Sequence, residues 1–139
     1  MGTQESRSRL VTKLERIADK HPDFLYGRCV TFAIALRKLT GLPLYGLLGI
    51  DEDTGKEVLI HAYVKDGEER VDVKGPRSLD EIISDFLDDP AIIDAYEVPL
   101  TEGRAAKLAT GSSKCPTLTS AAPIAAKIWK IVQALHLTR

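Results

Sequence analysis

The 139-residue sequence predicts an α+β fold, on three observations. Apolar residues recur at helical spacing near both ends of the chain, the middle alternates with a period of two, and Asp66-Gly67 joins two of the alternating runs. Helices first, a small antiparallel sheet after them and further helices to cover it make an α+β arrangement rather than alternating βαβ units.

The first helix is expected over about Ser6 to Lys20, where Leu10, Val11, Leu14, Ile17 and Ala18 form one stripe. His21-Pro22 ends it, because a residue before proline is pushed out of the α region. After a loop from Asp23 to Arg28, a second helix is expected over Cys29 to Thr40, stopped by Gly41 and Pro43. Leu44 to Ile50 reads as a strand, Asp51 to Lys56 as an acidic turn, and Glu57 to Lys65 and Glu68 to Lys74 as a hairpin about Asp66-Gly67. Ser78 with Glu81 has the spacing of a capping box for a helix to about Leu87. Ala91 to Leu100 follows as a strand, Thr101 to Ala109 as a weak helix and Gly111 to Ser120 as a polar connector. A last helix over about 121–137 has Pro123 near its start and Ile124, Ile128, Ile131, Val132 and Leu135 as its stripe. The expectation is one domain over residues 1–139, with its core at about 24–100.

Composition narrows the function classes. Lys+Arg 19 against Asp+Glu 20 gives a net charge of −1, without the basic excess of a phosphate-binding surface, so no nucleic acid is expected. No apolar run is long enough to span a bilayer, and residues 1–9 carry no signal-peptide core. The two cysteines, Cys29 and Cys115, make no disulfide framework, which points to a reducing, cytoplasmic setting.

The hairpin carries the chemistry. With Asp66-Gly67 as a two-residue loop, paired numbers sum to 133, and His61 falls opposite Asp72. At that separation a carboxylate fixes the tautomer of an imidazole and favours its charged form. Cys29 opens the second helix, where unpaired N–H groups favour a thiolate, and a nearby imidazolium adds to that effect. Cysteine at a helix start, histidine on a strand and aspartate on the next strand have the roles of a nucleophile, its base and the group that orients the base.

Two segments, Gly27-Arg28-Cys29-Val30-Thr31-Phe32-Ala33 and His61-Ala62-Tyr63-Val64-Lys65-Asp66-Gly67, with Arg70-Val71-Asp72-Val73 closing the pattern, resemble the papain-like superfamily in order and spacing. The resemblance is to its transglutaminase-like and arylamine N-acetyltransferase branch, and it covers roughly Phe24 to Gly75. It implies a papain-like core, with the Cys helix packed on a sheet that bears His and Asp. It also implies attack by Cys29 on an amide or thioester carbonyl, with His61 as base and Asp72 orienting it. A deamidase, peptidase or small acyltransferase is expected, as an effector or toxin domain or otherwise, with a protein or peptide substrate and no cofactor or metal. An effector or toxin would act in the cytosol of the cell that receives it. Papain-type enzymes carry a Gln six residues before the Cys; Asp23 stands there in this chain, which leaves the backbone N–H of Cys29 as one oxyanion donor and Tyr26 as a candidate second. The alternative is an inactive papain-like domain that binds a protein partner.

Each residue also has a structural reading: Cys29 as a small core hydrophobe, His61 as a satisfied polar group and Asp72 as a hairpin cap. Cys115 has no companion His near it in sequence, and His21 and His136 read as a loop and a helix-terminal residue. Zinc held by Cys29, His61 and Asp72 lacks a close ligand pair. Gly49 to Lys56 is not a P-loop, because its glycine spacing is wrong and Glu57 stands where Ser or Thr is needed. Asp51, Asp53 and Gly55 fit a turn better than half a calcium loop. The last helix, with Trp129, Lys127 and Lys130, is expected to pack on the domain rather than grip a membrane or partner.

Overall fold

The computed structural model describes residues 3–21, 24, 29–86, 92–109 and 118–137. In chain order the elements are α1 (Thr3–Lys20), α2 (Cys29–Thr40), β1 (Leu44–Asp51), β2 (Glu57–Asp66), β3 (Glu69–Asp72), β4 (Gly75–Arg77), α3 (Leu79–Phe86), β5 (Ile92–Pro99), α4 (Glu102–Ala109) and α5 (Leu118–Leu137). The fold is α+β, and among the described residues it has five helices and one antiparallel five-stranded sheet in the order β4-β3-β2-β1-β5.

The local signals explain most of these boundaries. Ser78 and Glu81 close the expected capping box, with Glu81 N–H donating to Ser78 Oγ at 3.2 Å and Ser78 N–H to Glu81 Oε1 at 3.3 Å. Thr101 caps α4 by accepting the Arg104 N–H at 3.0 Å. Asp51 Oδ1 accepts from Asp53 N–H at 2.9 Å, so the acidic segment between β1 and β2 is an Asx turn. One helix differs from expectation: α5 starts at Leu118, so Pro123 lies inside it rather than near its first residue. The cost is one backbone hydrogen bond, which the apolar face of a helix this long outweighs.

Alternation along β2 sends neighbouring residues to opposite faces of the sheet. Val64 and Val71 pack with Leu14 and Ala18 of α1, Phe32 and Leu36 of α2, and Ile128 and Val132 of α5. On the same side, Ala105 of α4 packs with Cys29, Val30, Ala33 and Ala62. Tyr63 and Leu47 face the other way and pack with Ile82 of α3. Ile128 and Val132 are fully buried, so the α5 stripe is core, as expected, and no helix among the described residues is long and apolar enough to cross a membrane.

The hairpin register differs from the expected one. Val64 pairs with Val71, Lys65 with Arg70 and Asp66 with Glu69, so paired numbers sum to 135 instead of 133. The loop is Gly67-Glu68, and Gly67 alone carries a positive φ, 61°, which is the pattern of a type II′ turn rather than type I′. The shift changes the pair sum by two, so no side chain changes face, but Asp72 becomes the diagonal rather than the direct neighbour of His61. A second irregularity lies on the other edge of β2: Leu47 pairs with His61 and Leu48 with Leu59, which leaves Ile60 as the extra residue of a β-bulge beside the histidine.

The expected third strand is also shorter. It ends at Asp72, and the chain turns through Val73-Lys74 into β4, which pairs Asp72 with Gly75 and Arg70 with Arg77. Gly75 has φ +91°, and a Cβ there would sit 2.6 Å from Leu14 Cδ1 of α1. Backbone strain and a clash with the core thus act at one residue. Gly75→Ala is therefore expected to destabilise the protein by about 2–4 kcal/mol, read as a lower urea midpoint at unchanged slope.

Candidate active site

Cys29, His61 and Asp72 arrive from three elements, the start of α2, the middle of β2 and the end of β3. The structure brings all three together. His61 Nε2 lies 2.8 Å from Asp72 Oδ2, and the side chains are 0% and 2% exposed. Cys29, 9% exposed, lies close enough to the imidazole to add to the stabilisation of its charged form.

The carboxylate is held on more than one side. Its Oδ1 accepts the Lys74 backbone N–H at 2.8 Å, and the guanidinium of Arg77 is 3.7 Å from Oδ2. Arg77 is itself buried and reaches Asp85 of α3 through Nη1 at 2.7 Å. A chain of alternating charge thus runs from α3 through β4 and β3 to the histidine on β2. Arg77 and Asp85 were not foreseen, since β4 is three residues long and offers no strand pattern of its own.

Beside the triad, Glu97 of β5 reaches across β1 to β2 and β3. It pairs with Arg70 in a two-pronged contact, at 2.8 Å to Nε and 2.9 Å to Nη2, accepts the Tyr63 hydroxyl at 2.7 Å and lies 3.4 Å from Lys65 Nζ. The Arg70 hydrogen bond, opposed by partial burial and helped by Tyr63, holds the Glu97 carboxyl down at about 2. The Tyr63 ring is 5.9 Å from the His61 ring, so this cluster forms one wall of the histidine's surroundings.

Burial acts to lower the His61 pKa, yet Asp72, through its hydrogen bond and its charge, and the nearby Cys29 together raise it to about 9 from 6.5. The imidazole therefore keeps its proton at neutral pH. Because the folded value lies above the unfolded one, the stabilisation is complete below about 6.5 and is lost as pH rises through about 9.

The Cys29 backbone N–H is at the start of α2, among the amides that have no partner within the helix. Asp23, Tyr26, Gly27, Arg28 and Cys115 lie outside the described residues. His21 stacks on Phe24 with ring centroids 5.6 Å apart, and His136 pairs with Glu69 at 3.1 Å, away from the triad. Among the described residues no group of three or more His, Cys, Asp or Glu side chains is arranged to hold a metal ion. No family model, curated protein or solved structure matches the chain.

Two outcomes are expected from the site's electrostatics. In Asp72→Asn the His61 ring should titrate below its wild-type value of about 9, followed by NMR of the ring carbon, and stability at neutral pH should fall by about 3 kcal/mol. A histidine that already titrates near 6.5 in the wild type would contradict the buried pair. Glu97→Gln should cost about 2–3 kcal/mol at pH 7, and the penalty should vanish as the wild type is acidified through about 2, where its own carboxylate is lost.

Proposed function

We propose that the chain is a cysteine-dependent hydrolase or acyl transferase of papain-like architecture, acting on an amide such as a glutamine side chain or a peptide bond. The observation that carries this reading is a buried imidazole hydrogen-bonded to Asp72, with the Cys29 thiol near enough to act on its charge. Cys29 Sγ, with the proton held on His61, attacks the carbonyl carbon and forms a tetrahedral intermediate. His61 returns the proton to the departing nitrogen, the C–N bond breaks and a thioester remains. Water or an amine, deprotonated by the now neutral His61, resolves the thioester and releases Cys29. Asp72 keeps the ring oriented and stabilises its charge throughout. A proton held up to a pKa of about 9 is available to the leaving amine at neutral pH. A protein or peptide substrate fits this chemistry, which calls on no cofactor.

A second reading, an inactive domain of the same architecture that serves as a binding module, draws on the burial of the triad, since Cys29 is only 9% exposed. Alkylation separates the two. Under the first reading iodoacetamide labels Cys29 in the native protein, and His61→Ala slows that labelling about tenfold while Cys115, followed by peptide mass spectrometry, keeps its rate. Protection of Cys29 until the protein is denatured would favour the binding module.

A further inference from the structure

We infer that the groove between α1 and α5 is a docking site for an amphipathic helix of a partner protein, one whose apolar ridge is flanked by acidic side chains. The groove is open, has a volume of about 470 Å³ and is lined by none of Cys29, His61 and Asp72, so it stands or falls independently of the proposed function. Its floor is apolar, formed by Leu10 and Ile17 from α1 and Ile131 and Ala134 from α5. Four cations line it as well, Lys13 and Arg16 from α1 and Lys127 and Lys130 from α5, and no acidic residue does.

Charge complementarity selects the occupant. All four cations are exposed, and among the described residues none of them makes an ion pair or a side-chain hydrogen bond. In a chain whose net charge is −1, a segregated basic rim over an apolar floor is a local feature rather than a reflection of composition. On each helix the lining residues span eight positions, about 10 Å or two turns, which is the footprint of a short helix laid into a groove. The same spacing places a cation on each side of the apolar line, so the complementary ligand carries apolar residues in a row with carboxylates on both flanks.

The shape disfavours a lipid surface. The floor side chains are half-buried between the helices, and none of the strongly exposed apolar residues, Val11, Leu39, Ile93 and Leu137, lines the groove. A membrane-binding face instead presents its apolar side chains outward, to enter the headgroup region.

The test uses the full chain and a fluorescein-labelled synthetic helix about four turns long, with a leucine ridge flanked by glutamates, read by fluorescence anisotropy. A second peptide with lysine in place of every glutamate is the control. Binding of the acidic peptide alone, weakened by added salt and by about tenfold or more in the Lys13→Glu, Lys130→Glu double variant, is the expected result. These positions are exposed, so thermal melting should be unchanged; if the double variant does unfold, the neutral pair Arg16→Gln, Lys127→Gln gives the same reading. Absence of binding, equal binding of both peptides or indifference to the substitutions would overturn the proposal. So would rim-dependent binding to phosphatidylcholine vesicles doped with phosphatidylserine in preference to the peptide, or rim-dependent self-association of the chain.

Discussion

A histidine with no exposed surface, hydrogen-bonded to an aspartate with almost none, is the constraint around which the rest of the structure is arranged. Removing either group from water is costly, and their mutual attraction offsets that cost only with good geometry and further hydrogen bonds. The chain supplies both through backbone placement. The Val73-Lys74 turn aims an N–H at Asp72, β4 brings a guanidinium alongside, and α2 delivers the thiol. Each contribution comes from a different element, so the site cannot form before the sheet and the helical layer have met.

That dependence explains why tight local features cluster near Asp72. Gly75 is held left-handed and pressed against Leu14, which joins the β3–β4 turn to α1 on the opposite side of the chain's core. Arg77 joins the same turn to α3 through Asp85. One short hairpin is therefore tied to both α1 and α3, and Asp72 at its root inherits that rigidity. On the other edge of β2, the extra residue at Ile60 changes the local twist where His61 has to meet its partners.

Most of the helical architecture was legible because its signals are local. A stripe at helical spacing, a Ser-x-x-Glu box and a Gly-x-Pro stop act within a few residues, and α2 begins and ends where they put it. The grouping of Cys29, His61 and Asp72 was legible for a related reason, since a register error of two in the pair sum preserves the face of every side chain. The register itself was missed because Asp-Gly was read as the loop, when glycine at the first central position and the following glutamate satisfy a type II′ turn equally well. One cue lay in the sequence: the sum of 133 opposes Val64 to Glu69, whereas 135 opposes Val64 to Val71, and both valines are fully buried. The short β4 and the reach of Arg77 depend on contacts that no local window contains.

The observed register raises its own electrostatic problem, because it sets Lys65 directly opposite Arg70. Like charges in that position repel. Glu97 answers from two strands away, lying between them at 3.4 Å from Lys65 Nζ and 2.8 Å from Arg70 Nε. The carboxylate also takes the Tyr63 hydroxyl, and Tyr63 in turn packs beside His61. The pairing that joins two buried valines is thus tolerable only when β5 has docked on β1 and brought Glu97 over the sheet. The position of the histidine then depends on a strand it never touches in sequence, and the charge order across β5, β2, β3, β4 and α3 is a condition of the fold as well as of the site.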